Sequence, residues 1–87
     1  MISKEVEVQS SQGLRAKSAS VFIQQANTYK SSIKVEVGDR HANAKSLLGV
    51  LSLGIKGGTV ISIIADGQDE SEAVEGLAVL VQSILKD

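Results

Sequence analysis

The chain has no cysteine and no tryptophan, and it holds one phenylalanine, one tyrosine and one histidine. Without cysteine, disulfides and thiolate metal sites are excluded. With only two aromatic side chains in 87 residues, the core must be aliphatic. Nine basic and ten acidic residues nearly cancel, and no lysine- or arginine-rich run occurs. The electrostatic footprint of nonspecific nucleic-acid binding is therefore missing. No apolar run approaches the roughly 20 residues that a membrane span needs. The segment Met1-Ile2-Ser3-Lys4-Glu5-Val6-Glu7 has no apolar core of a secretory signal, so a cytoplasmic protein is expected.

What is present fits one small domain, residues 1–87. A 43% hydrophobic content suits a folded globule, although a domain this size buries only roughly 60–65% of the surface its unfolded chain exposes. Ile2, Val6 and Val8 share one parity, and Ser3, Glu5, Glu7 and Gln9 the other. This is a strand with one wet face, and Lys4, which interrupts the apolar parity, suggests an edge or a strand end. Ser10-Ser11-Gln12-Gly13 reads as a turn. From Ala16 to about Thr28 the period becomes helical, with Ala19, Phe22, Ile23 and Ala26 on one stripe. Ile33, Val35 and Val37 alternate with Lys34 and Glu36. Gly38-Asp39 then turns the chain into a short return strand over 40–44.

Ser46 precedes the apolar segment Leu47-Leu48-Gly49-Val50-Leu51-Ser52-Leu53 and suits the N-cap of a short helix. Thr59 to Ala65 is rich in β-branched residues and reads as a strand. Asp69 with Glu72 has the form of a capping box. It opens a helix whose stripe runs through Ala73, Val74, Leu77, Leu80, Val81 and Ile84. Gly76 inside it costs roughly 1 kcal/mol against alanine. The order β-α-β-β-α-β-α predicts an α+β fold: a four-stranded sheet with three helices on one face and the other face open.

The chemistry is sparse. His41 is the single histidine; it falls in the hairpin with no nucleophile elbow beside it, and scattered carboxylates around one histidine make a poor metal site. Gly54, Gly57 and Gly58 lead into a strand, not into the Lys-Ser/Thr and helix of a phosphate loop. No catalytic constellation, cofactor or metal is expected. Two places say more. Five apolar residues in a two-turn helix cover too much of its circumference for all to face inward, so 47–53 is either partly exposed as a partner patch or a short, deeply buried helix. A phosphate on Ser46 would meet unpaired backbone N–H groups at a helix start, with Lys45 next in sequence. Arg15 and Lys17 also put two cations at a helix start, which disfavours cations, so that end is either an anion spot or a solvated basic loop.

Together these segments resemble the HPr family, the phosphocarriers of the bacterial sugar phosphotransferase system, over essentially the whole chain. Asn43-Ala44-Lys45-Ser46-Leu47-Leu48-Gly49-Val50-Leu51-Ser52-Leu53-Gly54-Ile55 is similar to the family's regulatory-serine motif, and Ala65 to Ala73 to its last turn and helix. The resemblance implies an open-faced β-sandwich. The family's first motif, Gly-Ile/Leu-His-Ala-Arg-Pro-Ala, here reads Gly13-Leu14-Arg15-Ala16-Lys17-Ser18-Ala19. Arg15 thus stands at the phosphohistidine position, Lys17 at the arginine and Ser18 at the proline. Guanidinium stays protonated and offers no nucleophilic nitrogen, so Arg15 cannot relay phosphate. A kept serine with a lost histidine is similar to the family's catabolite-repression branch. That likeness implies phosphorylation of Ser46 by HPr kinase/phosphorylase and corepressor binding to catabolite control protein A. The implied contact surface is Arg15, Lys17, Ser20, Lys45, Leu47, Leu48 and Leu51. Two alternatives stay open: a phosphocarrier using His41, and an interaction module that has drifted from both roles. The small polar segment 10–13 also allows a strand-exchanged homodimer beside the monomer.

Overall fold

The alternating segments become β1 (Ile2–Glu7), β2 (Ser32–Val37), β3 (Arg40–Asn43) and β4 (Val60–Asp66) in a computed structural model that describes residues 1–14 and 16–85. They form one antiparallel sheet in the order β1-β4-β2-β3. Register sets Ile2, Ala65 and Ile33 in one cross-strand row, and Lys4, Ile63, Val35 and Ala42 in the next. These rows face three helices: α1 (Ala16–Ala26), α2 (Leu47–Ser52) and α3 (Glu70–Val79). The opposite rows, Ser3-Ile64-Lys34-Asn43 and Glu5-Ser62-Glu36-His41, form the open face. The expected open-faced α+β sandwich is the observed one.

The core is aliphatic around one ring. Phe22 is fully buried between α1 and the sheet, within a cluster that includes Val35, Val50, Ile63, Leu77 and Val81. β1 is an edge strand, and Lys4 explains how its edge is protected. Its side chain lies on the helical face and reaches both carboxylate oxygens of Glu75 on α3 at 3.2 Å. A charge placed there resists a second strand pairing on that edge.

Three local expectations need correction. The first helix stops at Ala26, not at Thr28. Asn27 Nδ2 donates to the Ile23 carbonyl at 2.9 Å and Thr28 Oγ1 to that of Gln25 at 2.6 Å, so these side chains join the backbone amides of the same two residues, each at 3.0 Å, on the helix's last acceptors. The expected capping box does not form either. Asp69 occupies the N-cap position without making a cap bond. Its carboxylate instead accepts from Lys30 N, Ser31 N and Ser31 Oγ, at 2.9, 2.9 and 2.5 Å. Glu70 takes the local role, accepting from Gly67 N at 3.1 Å. Finally, the apolar stripe through Ile84 is not one α-helix: α3 ends at Val79 and a π-helical turn covers Leu80–Ile84. Gly76 has a tertiary reason, because a Cβ there would lie 2.1 Å from Tyr29 Oη.

The Asp69 clasp ties the start of α3 to the start of β2 across 38 residues. The Ser31 hydroxyl foremost, then the amides of Lys30 and Ser31, hold the Asp69 carboxyl down to about 2. Its folded pKa is depressed, so its stabilisation is present above the ordinary aspartate value of 3.8 and is lost as pH falls toward about 2. Asp69→Asn should flatten the acid limb of thermal stability in that window. Melting curves recorded from pH 5 to pH 2 check this; an unchanged limb would assign the acid sensitivity to other carboxylates.

Candidate functional site

α2 is the exposed part of the helical layer. Its six residues bury only Val50, with Leu53 buried just beyond its end. Leu47, Leu48 and Leu51 are 44%, 81% and 37% exposed. Of the two sequence readings of this segment, the partly exposed one therefore holds, and the three form one apolar patch at i, i+1 and i+4.

Ser46 stands at the head of that patch. It is the N-cap of α2 with extended backbone, and its Oγ accepts from Gly49 N at 3.1 Å. The amides of Leu47 and Leu48 precede the first intrahelical bond and have no partner within the helix. An oxyanion on Ser46 would find these donors and the positive end of the helix dipole. Lys45, next in sequence, does not direct its charge there. Its ammonium donates to the Tyr29 carbonyl at 2.8 Å.

α1 packs beside α2, running the opposite way. Leu14 N, at the entry to α1, donates to the Ile55 carbonyl beyond α2 at 3.1 Å, whereas Asn27 Nδ2, at its far end, donates to the Lys45 carbonyl before α2 at 3.3 Å. At ~1.5 Å per residue, Lys17 lies about 15 Å along the helix from Asn27. The leucine patch thus has Ser46 at one end and the start of α1 at the other. Lys17 there is exposed, Ser20 half-buried, and the Ser18 hydroxyl donates to the Gly13 carbonyl at 3.1 Å. Arg15 lies outside the described residues.

His41 sits elsewhere. It is exposed on the edge strand β3, opposite Glu36 and on the open face of the sheet, the face turned away from α1 and α2. Its neighbour Arg40 points to the helical side and donates to the Leu53 carbonyl at 3.2 Å and to that of Ser52. It thereby neutralises the negative end of α2. Among the described residues no group of three or more His, Asp and Glu side chains converges to hold a metal, and no helix is long and apolar enough to cross a membrane. Sequence reasoning missed Asn27, Tyr29 and Arg40 as supports of this region. Each acts through a contact 12 or more residues away, for which the sequence carries no local signal.

A family model described as the PTS HPr component phosphorylation site matches residues 2–83. The HPr-like protein Crh of Bacillus subtilis is 43% identical over 82 residues, covering 94% of this chain and 96% of that protein. The crystal structure of HPr from Thermoanaerobacter tengcongensis superposes with a TM-score of 0.94 at 38% identity, over 98% of this chain and 96% of that one. The crystal structure of Bacillus subtilis Crh, described as a dimer with a swapped domain, gives a TM-score of 0.77 at 39% identity, over 100% of this chain and 99% of that one.

Proposed function

This chain belongs to the HPr family, and on that footing we propose that it is a cytoplasmic, non-enzymatic regulator of catabolite repression, switched at Ser46 and unable to carry phosphate on histidine. The observation that carries the reading is the pairing of two features. Ser46 caps a short helix whose three leucines stand exposed, while the first family motif offers Arg15 where a phosphohistidine would be needed. HPr kinase/phosphorylase transfers the γ-phosphoryl group of ATP to Ser46 Oγ; the new O–P bond replaces the one to ADP, and the hydroxyl proton leaves to the kinase. The added charge sits at the positive end of α2. With Lys45 engaged by Tyr29 and Lys17 at the other end of α1, most of that charge remains for a partner's cations to read. The partner is catabolite control protein A, which takes Leu47, Leu48 and Leu51 as the apolar contact and Lys17 and Ser20 as its far flank, together with Arg15 as the family motif implies.

Intact-mass spectrometry after incubation with ATP and HPr kinase/phosphorylase tests the switch. One added phosphate is expected on the wild type and none on Ser46→Ala. A phosphate on both proteins would move the modification to another residue, and none on either would leave a drifted interaction module. A parallel incubation with enzyme I and phosphoenolpyruvate is expected to give no acid-labile label, since His41 lies on the sheet's open face. The swapped dimer of Bacillus subtilis Crh supports exchange of β1 through residues 10–13 in this chain as well, which light scattering after size-exclusion chromatography would detect.

A further inference from the structure

We infer that Asn27 and Asn43 are positioning residues for Ser46, forming a bracket around Lys45 that fixes the serine beside the end of α1. The inference rests on reading Ser46 as the modified residue and assigns what presents it. Every polar handle of Lys45 is in use. Its N–H donates to Asn43 Oδ1 at 2.8 Å, its carbonyl accepts from Asn27 Nδ2 at 3.3 Å, and its ammonium donates to the Tyr29 carbonyl at 2.8 Å. Ser46 N adds a bond to the Asn43 carbonyl at 3.1 Å, and the buried Ala44 anchors its N–H on the Ile33 carbonyl at 2.9 Å. The bracket reaches deeper, because Tyr29 Oη accepts from Gln25 Nε2 at 3.2 Å and packs against Gly76 of α3.

α2 needs such support. A six-residue helix does not hold itself in water, and of its own residues only Val50 is buried. The place of the Ser46 hydroxyl must therefore be set from outside the helix. A kinase aligning that hydroxyl with a phosphoryl group is sensitive to displacements near 1 Å. The two asparagines act through opposite chemistry: Asn43 as acceptor, Asn27 as donor. Aspartate keeps the first function and abolishes the second.

Four variants test this: Asn43→Asp, Asn43→Ala, Asn27→Asp and Asn27→Ala, compared with wild type by amide hydrogen exchange at Ser46 and Gly49 and by steady-state phosphorylation. Loss of one such bond should speed exchange about three- to tenfold in Asn43→Ala and both Asn27 variants. kcat/KM for the kinase should fall in the same three variants, because a hydroxyl displaced by about 1 Å is no longer aligned with the phosphoryl group. Asn43→Asp should stay within about twofold of wild type on both readouts. Equal behaviour of Asn43→Asp and Asn43→Ala, or unchanged exchange in Asn27→Ala, would overturn the bracket. Should the wild type accept no phosphate, the exchange data alone decide the bracket, and only the switch reading fails.

Discussion

Alanine at Gly13 is expected to lower folding stability by about 2–4 kcal/mol, combining a left-handed backbone with overpacking. Gly13 has φ +72°, and an added Cβ would lie 2.0 Å from the Ile55 carbonyl oxygen. That oxygen cannot simply move, since it accepts from Leu14 N. The obstacle is backbone against backbone, with no flexible side chain to yield. Gly38 is the internal control. It also has positive φ, +62°, but nothing lies within 4 Å of its Cβ position. Gly38→Ala should therefore cost only the conformational part, about 1–2 kcal/mol. Urea unfolding followed by circular dichroism separates the two; equal losses would mean that the Gly13–Ile55 contact relaxes freely. The contact also joins the entry of α1 to the segment after α2, so Gly13→Ala should shift Lys17 relative to the leucine patch. It should weaken partner binding more than it weakens phosphorylation at Ser46, which lies at the other end.

Phe22→Ala should cost about 3–5 kcal/mol, the usual range for emptying a fully buried ring site. For 87 residues, a total stability of roughly 4–13 kcal/mol follows from the common per-residue range. At the low end of that range the variant stands at the threshold of folding. At roughly 4–8 °C per kcal/mol, its melting temperature should fall by at least about 12 °C. Phe22→Leu keeps most of the volume and should lose under about 1.5 kcal/mol. Thermal melts of both variants check the pair. A mild loss in Phe22→Ala would show that α1 can collapse onto β2 and β4 and close the cavity.

Much of the architecture is legible from local pattern. Alternation in 2–8 and 33–37 marks half-buried strands, because side chains in a strand alternate between faces, and the β-branched run 59–65 marks a third. The stripe Ala19-Phe22-Ile23-Ala26 marks α1 for the matching helical reason. Ser46 as a cap followed by more leucines than a two-turn helix can hide was readable as well, and so was Lys4 as a sign of an edge or a strand end. The misreadings share one cause. Asp69 followed by Glu72 has the local form of a capping box, but Lys30 and Ser31 offered the carboxylate three donors from across the fold. Gly76 looked like a pure helix penalty because Tyr29, which occupies the space of its missing Cβ, lies 47 positions earlier. Lys45 looked like a charge for Ser46 because it is adjacent in sequence, while the Tyr29 carbonyl, brought near by the packing of α1 on α2, holds the ammonium instead.

The sequence by itself determined the order and type of the elements, the aliphatic core and the chemistry on offer: a serine at a helix start, an arginine and a lysine in the first motif, and no cysteine. These follow from period, propensity and side-chain chemistry, all of which act over a few residues. Only the tertiary structure decided that His41 faces away from the helices, that Ser46 and Lys17 stand at opposite ends of α1, and that Asn27, Asn43 and Tyr29 hold the residue before the serine. Those facts depend on strand order and on the antiparallel packing of α1 and α2. Both are set by burying the whole apolar face at once, and no window of the sequence contains that balance.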